Sequence, residues 1–270
     1  VSFNKVQNPG GPFPGGLDRC RFSESLGWWL YAGGLAAAEI VVGYVDPVAG
    51  VLIHAGLLVV LLVHAAHAAR RQRHLLYLVL TIAPLIRILS LAIPMVLISP
   101  SLTYLVTGLT VLVAAGPVVR VGGFTPGEIG LRWGFWPVQL LVGLSGIPVG
   151  IAEYYLLRSE PLVDALHWGE VLLPALVLLV CTGFVEEFVF RGMMFRAARR
   201  YASRWHALIY VNVVFAVLHI THLVPLDVFF VFLVGVYFTV VVVRTRSLFG
   251  VALAHGLANI MLYIVWPFFV

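Results

Sequence analysis

Three short patterns in the second half of the chain carry groups suited to moving protons and stabilising negative charge. The first is Cys181-Thr182-Gly183-Phe184-Val185-Glu186-Glu187-Phe188-Val189-Phe190-Arg191. Adjacent residues on a helix point about 100° apart, so its two carboxylates face different surroundings. Glu187 and Arg191, at i and i+4, meet on one face and neutralise each other as an ion pair. Glu186 is left as the unpaired carboxylate, suited to general base work. The competing reading is an interfacial pair that snorkels to lipid headgroups. The second pattern is Phe215-Ala216-Val217-Leu218-His219 and the third His255-Gly256-Leu257-Ala258-Asn259, each with its end residues on one helical face. A lone histidine in an apolar helix is commonly a packing residue, and His219 by itself stays open between packing and catalysis. His255 with Asn259 makes a stronger case, because two polar groups on one face of an apolar helix need a polar partner or a wet cavity.

What must position these groups is a membrane bundle. Of 270 residues 61% are hydrophobic and 11% charged, with a mean hydropathy of +1.01, which excludes a soluble globular domain. The net charge of +5 is spread between apolar runs rather than gathered in one domain, which argues against a nucleic-acid partner and for membrane topology signals. Cys20 and Cys181 lie far apart, so neither a disulfide framework nor a thiolate metal cluster is available. Among the basic residues only Lys5 is lysine, which points to a GC-rich bacterial genome. The first residue, Val1, suggests a missing initiator methionine or a longer leader; the stretch that follows reads as a Pro/Gly-rich polar arm over 1–24.

A bilayer core of about 30 Å needs about 20 apolar residues per helix. Windows of that kind fall at 25–45, 48–69, 75–99, 101–119, 135–157, 169–194, 205–222, 226–243 and 247–267. The runs are unbroken rather than alternating, so the fold class is an all-α polytopic bundle of about nine transmembrane helices, not a barrel. Four helices occupy 25–119 and five occupy 120–270. The basic residues support the count: Lys5, Arg19, Arg21, Arg70, Arg71, Arg73, Arg120, Arg132, Arg191, Arg196, Arg199, Arg200, Arg204, Arg244 and Arg246 fall on the N-terminal arm and alternate connections, Arg158 falls on the other side, and Arg87 lies inside a span. The positive-inside rule then makes the N-terminus cytoplasmic and the protein a multi-pass component of the cell membrane.

If the sixth and seventh helices form a hairpin, Glu186 and His219 are level about a turn between Ala202 and Ser203, where Tyr201-Ala202-Ser203-Arg204 breaks the apolar pattern. His255 enters from the arginine-bearing side and sits roughly 13 Å beyond Arg246. All four groups are thus expected in one cavity that opens toward the cytoplasm. At this point Glu186-Glu187-x-x-x-Arg191, Phe215-x-x-x-His219 and His255-x-x-x-Asn259, in that order, resemble the three motifs of the CAAX prenyl protease and bacteriocin-processing (CPBP) family of intramembrane proteases. Gly127-Glu128-Ile129-Gly130-Leu131-Arg132 is similar to a segment that often precedes the core in bacterial members, so the resemblance covers roughly 120–265. It implies hydrolysis of a peptide bond in a membrane-associated substrate, with Glu186 and His219 activating a water and His255 and Asn259 stabilising the oxyanion. Phe215 would be a packing residue of its motif and Glu187 with Arg191 an orienting pair. No metal is favoured, since a His-Glu-x-x-His signature is missing; were zinc present, Glu186, His219 and His255 would be its ligand set.

Other polar residues in spans read as structural. Arg87 is expected to pair with Glu39 or Glu153. His54, His64 and His67 share the second helix; ligation of haem or a chlorophyll-type pigment by them is the weaker reading, since His64 and His67 fall near an arginine-rich loop. Gly143, Gly146 and Gly150 mark a close-packing face, and His222, three residues after His219, is either a supporting partner of that histidine or, the favoured reading, a residue facing the external interface. The rival to catalysis is a non-catalytic subunit or assembly scaffold of a larger membrane complex that keeps the family's fold, with membrane lipids as its neighbours in either case. A transporter finds no support, because paired broken helices are not evident.

Overall fold

The computed structural model describes residues 22–70, 74–92 and 99–270, and within them nine helical runs are long and apolar enough to cross a membrane. They are α1 (Phe22–Tyr44), α2 (Pro47–Ala69), α3 (Leu75–Ala92), α4 (Pro100–Val121), α5 (Trp136–Leu157), α6 (Trp168–Arg199), α7 (Arg204–His222), α8 (Pro225–Thr245) and α9 (Phe249–Phe268). No strand occurs among the described residues. Lys5, Arg19, Cys20, Arg21, Arg71, Arg73 and nearly all of the expected polar arm lie outside them. The protein is an all-helical, multi-pass membrane bundle, and side chains such as Leu52, Val59, Val113, Leu141 and Leu172 stand exposed on its flanks, where lipid replaces water.

Local chemistry sets the helix ends. Asp46 and Ser99 each precede a proline and accept a hydrogen bond from the backbone of Ala49 and Leu102, so α2 and α4 start with a capped, pre-organised first turn. Ser203 does the same for α7, accepting from His206 N, and the α6–α7 turn falls where the hairpin argument required it. The sixth helix is longer than its hydropathy window, running on to Arg199.

Helix α5 lies against α9 through small residues. A Cβ added at Gly143 would strike Leu253, at Gly146 the Ala254 carbonyl and at Gly150 the Ala258 carbonyl, so glycine is what allows this approach. The N-terminal helices are fastened to this core by polar contacts. Arg87 Nε donates to Glu39 Oε1 at 2.9 Å, and His54 Nε2 lies 3.3 Å from the same oxygen, with Glu39 and His54 wholly buried. Arg87 Nη2 reaches across to the Leu218 carbonyl (2.6 Å) and Thr221 Oγ1 (2.9 Å), and the Tyr210 hydroxyl donates to the Trp28 carbonyl. His64 is hydrogen-bonded to the Tyr31 hydroxyl and stacked on Tyr77, while His67 turns to the Val63 carbonyl.

The connection between α4 and α5 folds back over the arginine-bearing end of the bundle. Ile129 and Leu248 are buried there, Leu248 N donates to the Gly130 carbonyl, Gly250 N donates to Gln139 Oε1, and Arg200 Nη1 donates to the Gly122 carbonyl.

Candidate active site

Glu186 and Glu187 form a single α-helical turn, Val185–Glu187, between two wider π-type stretches, Leu178–Phe184 and Phe188–Met194. Such widened turns recur at functional sites because they re-aim side chains within a continuous helix. The two carboxylates have different surroundings. Glu187 is fully buried: Arg191 Nη1 donates to its Oε1 at 3.1 Å, and His255 Nδ1 donates to the same oxygen at 2.9 Å. The Glu186 side chain keeps 27% of its surface and has His255 Nε2 at 3.9 Å, beyond hydrogen-bond length.

Arg191 is buried with its charge shared out. Besides Glu187 it donates from Nη2 to Asn212 Oδ1 (3.1 Å), and its guanidinium lies 4.1 Å from the centroid of the Phe215 ring. Asn212 is itself fixed by donating Nδ2 to the Leu208 carbonyl and to Thr239 Oγ1. Gly235 makes room for this contact, since a Cβ there would crowd Asn212 Oδ1 and Arg191 Nη2. Phe215 therefore packs against the cation and against the imidazoles of His219 and His255.

The histidine rings are oriented through Nδ1. His219 Nδ1–H donates to the Phe215 carbonyl at 3.0 Å, which in the neutral ring leaves Nε2 as an acceptor. His255 Nδ1–H donates to a carboxylate, and in the doubly protonated ring Nε2–H is a second donor. Asn259 Nδ2 donates one hydrogen to Thr182 Oγ1 (2.8 Å), which donates onward to the Leu178 carbonyl, so the second amide hydrogen remains.

Glu186, His219, His255 and Asn259 all line one cavity of about 130 Å³, with Tyr104, Glu153, Thr182, Phe215, His222 and Tyr263 also in its wall. A larger and more apolar cavity of about 310 Å³ adjoins it between α3 and α4 and shares Glu186, His219, His222, Tyr104 and Thr182. His222, at the outer end of α7, keeps 30% of its side chain exposed and also stands in the cavity wall, where Nδ1 donates to buried Asp227 at 2.8 Å across the turn at Leu223, φ 60°. One expectation is corrected: the cavity does not extend toward the arginine-bearing ends, which the α4–α5 connection covers. It runs from the level of Glu186 toward Tyr104 near the start of α4, Glu153 near the end of α5 and His222 at the α7–α8 turn. Asn212, Thr239, Gly235, Thr182, Tyr104 and Asp227 were not singled out in the sequence. Only Asp227, a lone acid at the head of an apolar helix, carried a visible signal.

Among the described residues no group of three or more His, Cys, Asp or Glu side chains is spaced to hold a metal ion.

Neither a curated protein nor a solved structure matches the chain. Residues 168–261, the stretch that carries all three motifs, match the family model described as type II CAAX prenyl endopeptidase Rce1-like, a match consistent with a CPBP family protease.

Proposed function

We propose that this protein is an intramembrane endopeptidase whose water nucleophile is activated by Glu186 and His219. A water held between the Glu186 carboxylate and His219 Nε2 gives its proton to Glu186 as its oxygen adds to the peptide carbonyl carbon. The oxyanion then accepts from His255 Nε2–H and the second Asn259 Nδ2–H, donors fixed beforehand by Glu187 and Thr182. As the intermediate collapses, the C–N bond breaks and Glu186 returns the proton to the leaving amine. Water adds across the bond and the enzyme ends as it began. The positive-inside bias argues for a cytoplasmic N-terminus in the cell membrane.

The observation that carries this reading is the gathering, from three separate helices, of an unpaired carboxylate, an acceptor imidazole and two donors in one cavity. The test is to reconstitute the chain, follow processing of co-expressed membrane peptides, and compare Glu186→Ala with wild type. Loss of cleavage in the variant is expected; equal processing by both would remove the assignment.

A further inference from the structure

Among the described residues five buried or half-buried acids lie within the bundle, and four of them have a positive or protonatable side chain within 4 Å, whereas the histidines nearest the fifth, His222 and His255, make no contact with it. Glu39 meets Arg87 and His54, Glu187 meets Arg191 and His255, Asp227 meets His222, and Glu186 has His255 at 3.9 Å. Glu153 is the exception. It is 9% exposed, stands in the wall of the catalytic cavity, and among the described residues receives neither a hydrogen bond nor an ion pair. The arginine that the sequence offered it, Arg87, is taken by Glu39. Among the described residues no lysine or arginine lines this cavity, and Arg87 in the wall of the adjoining one is held by Glu39. A buried carboxylate without a counter-charge is costly to keep, and a void beside it leaves room for one to enter.

We infer that Glu153 forms a subsite for a cationic side chain of the substrate, the ammonium of a lysine or the guanidinium of an arginine; this rests on the protease reading above. The cavity is close in size to the ~150 Å³ void that accepts a benzene-sized molecule, enough for the end of such a side chain. Tyr104, Phe230 and Tyr263 in the same wall offer aromatic surface to a cation. The position is set by the helix packing: Gly146 abuts Ala254 and Gly150 abuts Ala258, so His255 is level with about residue 147 of α5. Glu153 then lies about 9 Å further along, at 1.5 Å per residue. An extended peptide covers that in two to three residues at about 3.3–3.6 Å each, which places the preferred cation within roughly three residues of the scissile bond.

The experiment uses the full chain in vesicles and an apolar peptide in which one lysine, or the uncharged norleucine, is moved through the three positions on each side of the cleaved bond. Wild type is expected to favour lysine over norleucine at one position by roughly 10- to 100-fold in kcat/KM, the range of a charge-assisted hydrogen bond. Glu153→Gln should bring that ratio to about one, chiefly through KM. The same ratio in both proteins, or no preference anywhere in wild type, overturns the subsite. A second measurement stands apart from cleavage: butylguanidinium, but not butanol, should raise the unfolding temperature of wild type and of Glu186→Gln and leave Glu153→Gln unmoved. Equal shifts in all three overturn the subsite, whereas a shift in a wild type that cleaves nothing sinks the protease reading and leaves the subsite standing.

Discussion

Two clusters of the same residue types lie in the bundle, one among α1, α2 and α3 and one between α6 and α9. In the N-terminal cluster, Glu39, His54 and Arg87 come from three different helices, with the acid and the imidazole sealed from all solvent. In the C-terminal cluster, Glu187, His255 and Arg191 form an equivalent knot, also with its acid and its cation fully buried. Both border a void, since Arg87 lines the larger cavity, so the difference is one residue: beside Glu187 stands Glu186, a second carboxylate with 27% of its side chain open to a cavity that His219 and Asn259 also reach. The first cluster joins helices; the second orients a group that faces space. Charge inside the membrane therefore marks function only where a carboxylate is left over once the structural pairs have been made.

The largest effect follows from that leftover acid. Glu186→Gln is expected to lower cleavage by about 10²–10⁴-fold, the span of a lost general base, with an unfolding temperature close to wild type. Glu39→Gln should do the reverse, lowering thermal stability while each folded molecule keeps cleavage within about tenfold. Similar activity losses in both would erase the distinction between the clusters. Some loss at Glu39 is consistent with it, because Arg87 donates to the Leu218 carbonyl, one residue before His219.

A second comparison concerns the pairs themselves. Removing one member of a buried pair strands the other, at about 3–5 kcal/mol, whereas replacing both by apolar groups is often close to neutral. Arg191→Met should therefore unfold at markedly lower denaturant than Glu187→Leu/Arg191→Met, and Arg87→Met than Glu39→Leu/Arg87→Met. Cleavage separates the clusters again: the Glu187 and Arg191 double variant also releases His255 Nδ1 and loses activity even where it folds.

Much of this arrangement was legible in the chain because it follows from periods and spacings. The unbroken apolar runs and alternating arginines located nine helices, the break at Tyr201–Arg204 located the α6–α7 turn, and i,i+4 spacing brought Glu187 to Arg191. What could not be read depends on contacts between distant helices. Nothing in the sequence chooses Glu39 over Glu153 as the partner of Arg87, or shows that Asn212 and Thr239 complete the Arg191 site. His222 and Asp227 meet across a non-helical turn, where neither helical nor strand spacing applies. The side on which the cavity lies was misjudged because Gly127–Arg132, short and polar in part, buries Ile129 and closes the end that the arginines mark.

The two regions also differ in packing, and glycines measure it. A Cβ at Gly150 in α5 would collide with the Ala258 carbonyl, and that contact holds the wall containing Glu153 against α9. Gly150→Ala is expected to cost about 1–3 kcal/mol of stability as overpacking. Gly56 in α2 meets nothing within 4 Å, so Gly56→Ala should be neutral or stabilising by up to about 1 kcal/mol. Denaturant midpoints of both in one detergent check this; equal costs would mean that the N-terminal helices are packed as tightly as the core.

The smallest effect belongs to the connection over the arginine-bearing end. The Thr125 backbone N–H and hydroxyl both donate to Glu128 Oε2, at 2.8 and 3.0 Å, and Glu128 N donates back to Thr125 Oγ1, the reciprocal pattern of a capping box. The Thr125 backbone bond, aided by its hydroxyl and by Arg200 and Arg196 and opposed by partial burial, holds Glu128 below the usual carboxylate value of 4.5. A folded-state value below the unfolded one stabilises the fold at pH above 4.5, and the gain is lost as pH falls through 4.5 toward the lower folded value. Glu128 is largely open to water, so the gain is small. Glu128→Gln is expected to lower the unfolding temperature by ~1–2 °C at pH 7, and the gap to wild type should close as the solution is acidified below 4.5. A gap that persists in acid would mean that Glu128 acts through its hydrogen bonds to Thr125 and not its charge, and no gap at any pH would mean that the segment is held by the burial of Ile129 alone.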